Sequence, residues 1–291
     1  MFTKIYIAFS VFFSLFSLKL CIAQDFRSHI SYLASDSLHG RAPGSEDEIK
    51  ASQYIGNYLT TKCDADVYYQ PFKYSIDSIT KNSGINVIGT INRKKKKTLV
   101  LCAHYDGLGM GSPKSKELLN KNIIHNGADD NASGVAMVMA IGNWLSEQKN
   151  LSYNVLLIFT SAHEAGLFGA DNFVKSNSND SLEISAILDF DMVGHLDNIS
   201  KTLRVGGASS DSSFSAFFNS KEGKPIHFRL DDSNIDYSDL KYFKKFSVPM
   251  LHFTTGLTDD YHKSTDDIDK INFEGMNSIF SIIKDLIIKC F

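Results

Sequence analysis

The chain predicts an α/β fold, a single-domain three-layer sandwich with a mixed, mostly parallel sheet and helices on both faces. Three observations carry this. The runs Thr98–Cys102, Asn154–Phe159, Ile184–Phe190 and Met250–Thr254 are short and apolar, as strands covered on both faces are. Segments with helical spacing alternate with them, the pattern of layered α/β domains. Past the N-terminal leader no repeat, low-complexity linker or composition break divides the chain.

Residues 1–23 read as a secretory signal peptide. Lys4 precedes an apolar stretch from Ile5 to Leu18, and Cys21-Ile22-Ala23 supplies small residues before cleavage near Ala23 or Gln24. The stretch is too short for a spanning helix. A lipoprotein anchored at Cys21 is the weaker alternative, because Lys19 sits badly beside a lipidated cysteine. The mature domain is then 24–291, secreted or periplasmic. Along it, Glu46–Thr60 reads as an amphipathic helix, and Asp66–Tyr74 and Ile85–Ile91 as strands. Helices follow at Ser133–Glu147 and Leu167–Lys175, between the buried strands. Asp211–Asn219, Asp239–Lys245 and Phe273–Cys290 complete the helices.

Composition excludes some functions. Of 291 residues 22% are charged, and the net charge is −3, so no nucleic-acid footprint shows. Lys94–Lys97 reads as a solvated turn between strands. No second segment could span a bilayer. Three cysteines remain after cleavage, Cys63, Cys102 and Cys290, which is no disulfide framework. Cys102 reads as a buried small hydrophobe. A Cys63–Cys290 bridge is conceivable but has no support.

Four ligand-type residues stand at or beyond the ends of buried strands: His104, Glu164, Asp191 and His262. A fifth, Asp130, lies in the turn Gly127-Ala128-Asp129-Asp130-Asn131-Ala132-Ser133-Gly134. A lone histidine is usually structural. Open sheets bind ligands outside the carboxyl ends of their strands, so these residues converge on one edge. Two imidazoles and three carboxylates suit a pair of zinc-like cations that activate water for hydrolysis. The same turn also reads as a helix N-cap, with Asp or Ser capping, and Asn131-Ala132-Ser133 as a glycosylation sequon.

Several stretches together are more specific. They are Leu38-His39-Gly40-Arg41-Ala42-Pro43-Gly44-Ser45, His104-Tyr105-Asp106, Asn126 to Gly134, Glu164-Ala165-Gly166-Leu167-Phe168-Gly169-Ala170, Asp191-Met192-Val193-Gly194, Ser238-Asp239 and Thr255 to His262. In this order the chain resembles the secreted bacterial zinc aminopeptidases, metallopeptidase family twenty-eight of clan MH. The resemblance implies a zinc exopeptidase-like fold and two divalent ions, zinc foremost, though such a donor set also serves cobalt or manganese. It implies that His104 and Asp191 hold one ion, Glu164 and His262 the other, and that Asp130 bridges them across a cis peptide to Asn131. Asp106 and Asp266 would orient His104 and His262. Peptides or proteins would be substrates, losing N-terminal residues to attack by a metal-bridging hydroxide.

One position departs from the family. Where it has a general-base glutamate before the ligand glutamate, this chain has His163. Histidine accepts a proton near neutral pH, so His163 is the candidate base. The departure keeps open a pseudoenzyme that holds metal and binds peptides without cutting. Glutaminyl cyclase-like acyl transfer is a further alternative, less favoured because Asn-Ala-Ser-Gly follows Asp130. The side-chain pocket is expected between Gly206 and Tyr242, with Phe217, Phe218, Phe228 and Tyr237 as candidates and a plain core stripe as the equal alternative.

Overall fold

The computed structural model describes residues 25–77, 79–117, 122–177, 182–220 and 224–291. The leader of residues 1–23, with Cys21, therefore lies outside the described residues. The strands are β1 Asp66–Tyr74, β2 Asn82–Ile91, β3 Lys97–His104, β4 Asn154–Thr160, β5 Glu183–Phe190, β6 Thr202–Gly206, β7 His227–Leu230 and β8 Met250–Thr254. The helices are α1 over 25–33, α2 Glu46–Lys62, α3 Gly134–Glu147, α4 His163–Gly166, α5 Phe168–Ser176, α6 Ser212–Asn219, α7 Leu240–Phe243 and α8 Phe273–Cys290.

One eight-stranded sheet runs β1-β2-β4-β3-β5-β8-β6-β7. β4, β3, β5 and β8 pair in parallel, while β1, β2 and β6 supply antiparallel pairings. The four parallel strands are the apolar runs of the sequence, and alternation along them builds both faces. Leu99, Leu101 and Ala103 of β3 join the core beneath α1, α2, α3, α6 and α8. Val100 and Cys102 face the opposite side, against Ala170, Phe173 and Val174 of α5 and Leu240 and Phe243 of α7. Three layers result, and the carboxyl ends of four parallel strands share one edge.

Some expectations need correcting. α1 and the outer strands β6 and β7 were not expected. The helix expected over Asp239–Lys245 is one turn, α7, followed by a 3-10 turn at Lys244–Phe246. Cys63 and Cys290 are both free thiols. Lys94 to Lys96 are exposed between β2 and β3, as a solvated turn requires, and Lys97, also exposed, is the first residue of β3. No described helix is long and apolar enough to cross a membrane.

Candidate metal centre

The parallel edge gathers the residues singled out above. His104 is the last residue of β3, Glu164 lies in α4 just after β4, and Asp191 follows β5. Asp130 lies in the turn before α3, and His262 on the loop beyond β8. The turn is built from its own side chains. Gly127 takes φ +59, open to glycine without cost, and the Asp130–Asn131 peptide is cis. Asn131 is fully buried, so it is no glycan acceptor. Its amide donates to Phe190 O at 2.9 Å and accepts from Gly134 N at 3.0 Å and Met192 N at 3.1 Å. Ser133 holds the N-cap position of α3 but makes no side-chain capping bond, and Asn131 Oδ1 takes the Gly134 N–H instead. Asp129 Oδ1 accepts Gly194 N–H. These bonds fix the Asp130 turn against the Asp191 loop.

Two further carboxylates hold main chain rather than rings. Asp106 accepts the N–H groups of His163 and Glu164, both at 3.1 Å, and so caps α4. Asp266 accepts Asp129 N–H at 2.8 Å and Asp130 N–H at 3.0 Å. The expected pairing of Asp266 with His262 is thus replaced: His262 Nδ1 donates to Lys114 O at 3.0 Å. His104 Nδ1 lies 3.3 Å from the main-chain oxygen of Asp106 and 3.6 Å from its carboxylate. Arg41, from the Leu38–Ser45 motif, is 1% exposed. It donates to the carbonyls of Leu33, Tyr105, Asn126 and Gly127, stitching the N-terminal segment to both site loops.

With Nδ1 committed to a carbonyl, each ring turns the Nε2 lone pair inward. His104 Nε2 is 3.3 Å from Asp130 Oδ1 and 3.4 Å from Asp191 Oδ1. His262 Nε2 is 3.4 Å from Asp130 Oδ2 and 3.3 Å from Glu164 Oε2. Both Nε2 atoms are buried with no hydrogen-bond partner. A lone pair facing carboxylate oxygens is repulsive unless a proton or cation lies between. Donors around a tetrahedral cation at zinc-like bond lengths sit about 3.3–3.5 Å apart, so the spacing fits two ions sharing Asp130. Electrostatics agree. Burial opposes charge on both rings, yet the surrounding carboxylates raise His104 well above its ordinary range and raise His262. Burial pushes Glu164 up, but His262 and neighbouring histidines bring it down to about 2.

His163 reaches the same cleft. Its ring stacks on His104, with centroids 3.9 Å apart and planes 12° apart. Nε2 is 4.0 Å from Asp191 Oδ2, and Nδ1 is 3.1 Å from Asp239 Oδ1. Burial and the His104 ring push its pKa down, but Asp239 and Asp191 outweigh them and lift it to about 9. Nearby cations act in the opposite direction. The cleft encloses about 310 Å³ beside Asp130, His163, Glu164 and Asp191, with Met192, Tyr237, His252, Leu257 and Tyr261 on its walls. Of the expected pocket aromatics only Tyr237 lines it. Phe217 and Phe218 are core residues, and Phe228 packs against that core. Sequence reasoning quoted Asp239 within Ser238-Asp239 but gave it no role, and it missed Lys114 and the Asp189–His252 pair, whose Nδ1–Oδ2 distance is 2.9 Å.

The fold is of the zinc exopeptidase type, and its parallel edge carries a His, Asp and Glu donor set that could hold metal. The chain belongs to peptidase family M28, whose family model matches residues 86–287. The leucine aminopeptidase 1 of Paracoccidioides brasiliensis (strain Pb03) is 28% identical over 151 residues, 50% of this chain and 35% of that protein. A probable leucine aminopeptidase of Arthroderma otae is 29% identical over 118 residues, 39% of this chain and 30% of that protein. The chain spans about a third of the length of these curated relatives. Among solved structures, Porphyromonas gingivalis glutaminyl cyclase superposes with a TM-score of 0.80 at 17% identity, covering 92% of this chain and 98% of that one. A Bacteroides thetaiotaomicron leucine aminopeptidase precursor gives 0.76 at 18%, covering 91% and 96%. A zinc aminopeptidase from Bacillus subtilis gives 0.74 at 16%, covering 91% and 94%. At these identities the likeness is one of fold.

Proposed function

We propose that the protein is an aminopeptidase using two divalent ions, zinc foremost, to release N-terminal residues from peptides. The observation that carries it is the pair of buried, partnerless Nε2 atoms on either side of Asp130. His104 and Asp191 would hold one ion, Glu164 and His262 the other, and Asp130 both. Bound there, the ions would polarise the scissile carbonyl and acidify water. The chain's own groups do the rest. Asp106 orients α4 and with it Glu164. His163 Nε2 takes the proton of the attacking water and passes it to the leaving amine. The cleft beside Met192, Tyr237 and Leu257 receives an apolar N-terminal side chain. Export follows from the leader of residues 1–23, and N-terminal sequencing of secreted material should find a chain starting near Gln24 or Asp25.

The test joins metal analysis to an assay. Protein reloaded with zinc should carry two ions per chain and hydrolyse aminoacyl anilides, leucyl anilide among them. Two ions without hydrolysis would favour a peptide-binding pseudoenzyme, the reading that His163 motivates. Turnover of N-terminal glutaminyl peptides without anilide hydrolysis would favour a cyclase. No metal after reloading would sink both peptidase and pseudoenzyme.

A further inference from the structure

His163 stands where the family's base is a glutamate, and an imidazole raises a question a carboxylate does not. A neutral ring carries its hydrogen on one nitrogen only, and only the other can accept a proton. Which nitrogen faces the cleft with a lone pair is therefore decisive, and it is set by what the far nitrogen touches.

The far nitrogen touches Asp239. Its Oδ1 lies 3.1 Å from His163 Nδ1, and both side chains are secluded, Asp239 at 1% exposure. Asp239 cannot turn away, because its other oxygen is held. Oδ2 accepts the hydroxyl of Thr160, at the end of β4, and the thiol of Cys102 in β3 at 3.9 Å. The neighbouring carboxylate, Asp189, is likewise engaged with His252. The buried group Cys102, Asp189 and Asp239 thus has its donors committed and reads as scaffolding rather than a third metal site. Burial alone would push Asp239 up, but His163 and the Thr160 hydroxyl hold it below its usual value.

We propose that Asp239 is a positioning residue that keeps the His163 hydrogen on Nδ1 and so leaves the Nε2 lone pair facing the cleft. The proposal rests on the peptidase reading for its catalytic consequence, though not for the pairing itself. His163 and Asp239 lie at opposite ends of a long sequence separation, on α4 and just before α7. Together they form an acid–imidazole unit of the kind in which a third group orients the base. The anchoring of Oδ2 sharpens the expectation for Asp239→Asn. Thr160 and Cys102 donate to Oδ2 in the wild type, and keeping both bonds puts the amide oxygen in the Oδ2 place and the amide NH2 against His163. Nδ1 then has to accept, and the ring hydrogen moves to Nε2. The ring stays in place while its lone pair leaves the cleft.

The experiment is nitrogen-15 NMR of the imidazoles in zinc-loaded protein, with His163 assigned by its loss in His163→Gln. The wild type should show Nδ1–H and Asp239→Asn should show Nε2–H, with zinc content unchanged in both. On leucyl anilide, kcat for Asp239→Asn should fall about a hundredfold or more with little change in KM, within the usual size of a general-base contribution. Added to His163→Ala, the same substitution should cost less than about twofold, because residues acting as a unit are not additive. An Nε2–H wild type, an unchanged tautomer in Asp239→Asn, or a full additional loss on the His163→Ala background would overturn the proposal. The wild-type spectrum decides alone if Asp239→Asn does not fold. Zinc-loaded wild type that shows the tautomer switch but cleaves no anilide would sink the peptidase reading and leave the pairing standing.

Discussion

Asp129 Oδ1 accepts the main-chain N–H of Gly194 at 2.7 Å, joining the turn that carries Asp130 to the loop that carries Asp191. The same oxygen lies 3.2 Å from the Ser133 hydroxyl. Two donor carboxylates that come from distant segments are thus held at fixed separation by a third that faces no ion. Asp129→Ala would leave the buried Gly194 N–H without this acceptor, at a cost of about 1–3 kcal/mol. Zinc affinity should fall by about ten- to a hundredfold, the usual effect of losing a residue that orients ligands. Burial and the nearby Asp266 charge hold the Asp129 carboxyl well above its ordinary range. Asp129→Asn keeps an oxygen that can accept the Gly194 N–H and should stay within about 1 kcal/mol of wild type. Urea unfolding and competitive zinc titration would check both variants; equal losses in the two would refute the account.

Asp130 is the carboxylate shared by both histidines, 3.3 Å from His104 Nε2 and 3.4 Å from His262 Nε2. Asp130→Ala should lower metal content more than the loss of Glu164 or Asp191, because it removes one oxygen from each site. Elemental analysis after equal dialysis would rank the three variants. A protein that keeps two ions without Asp130 would rule out the bridging role.

Much of this was legible in the sequence, and the remainder was hidden for physical reasons. Strands β3, β4, β5 and β8 are buried on both faces, so burial leaves an apolar signature that needs no partner to be read. The outer strands β6 and β7 carry Arg204 and Arg229 within runs of five and four residues, too short and too polar for periodicity. α1 has Phe26, Ile30 and Leu33 at helical spacing and fully in the core, a signal passed over beside the leader. The metal-type residues were legible because strand ends mark them. Their partners were not. Lys114 meets His262 across 148 residues, and Asp239 meets His163 across 76. No local pattern encodes such pairs. The aromatics Phe217 and Phe218 misled for the opposite reason, since core and pocket stripes look alike until packing is known.

His29 provides a pH signature remote from the metal centre. It is buried against Tyr58 edge-on, hydrogen-bonded to the Tyr54 hydroxyl at 2.8 Å, and burial depresses its pKa to about 4. The unfolded ring titrates near 6.5, so between about 4 and 6.5 the unfolded chain binds more protons than the folded one. Stability then rises with pH across that window and is lost on acidification, by about 3 kcal/mol at most. His29→Gln cannot titrate and should flatten this part of the profile. Urea midpoints from pH 4 to 7, with chelator present in both proteins to remove the metal contribution, would show it. Parallel profiles for variant and wild type would disprove the assignment.

His163 gives the prediction on which the function turns. Its ring lies flat on His104, and His104, His163 and Asp191 bring ligand-type atoms within 4.8 Å of one another, so metal content is the measurement that separates a base from a further ligand. His163→Ala should lower kcat on leucyl anilide by about two to four powers of ten, the range of a general base. Metal content should not change. His163→Glu introduces the glutamate that the family resemblance implies at this position and should keep or raise activity. Unchanged turnover in His163→Ala would show that another group moves the proton. A lost ion in that variant would make His163 a ligand after all. An inactive wild type that becomes active as His163→Glu would make the natural protein a metal-holding pseudoenzyme, whose one missing part is the base.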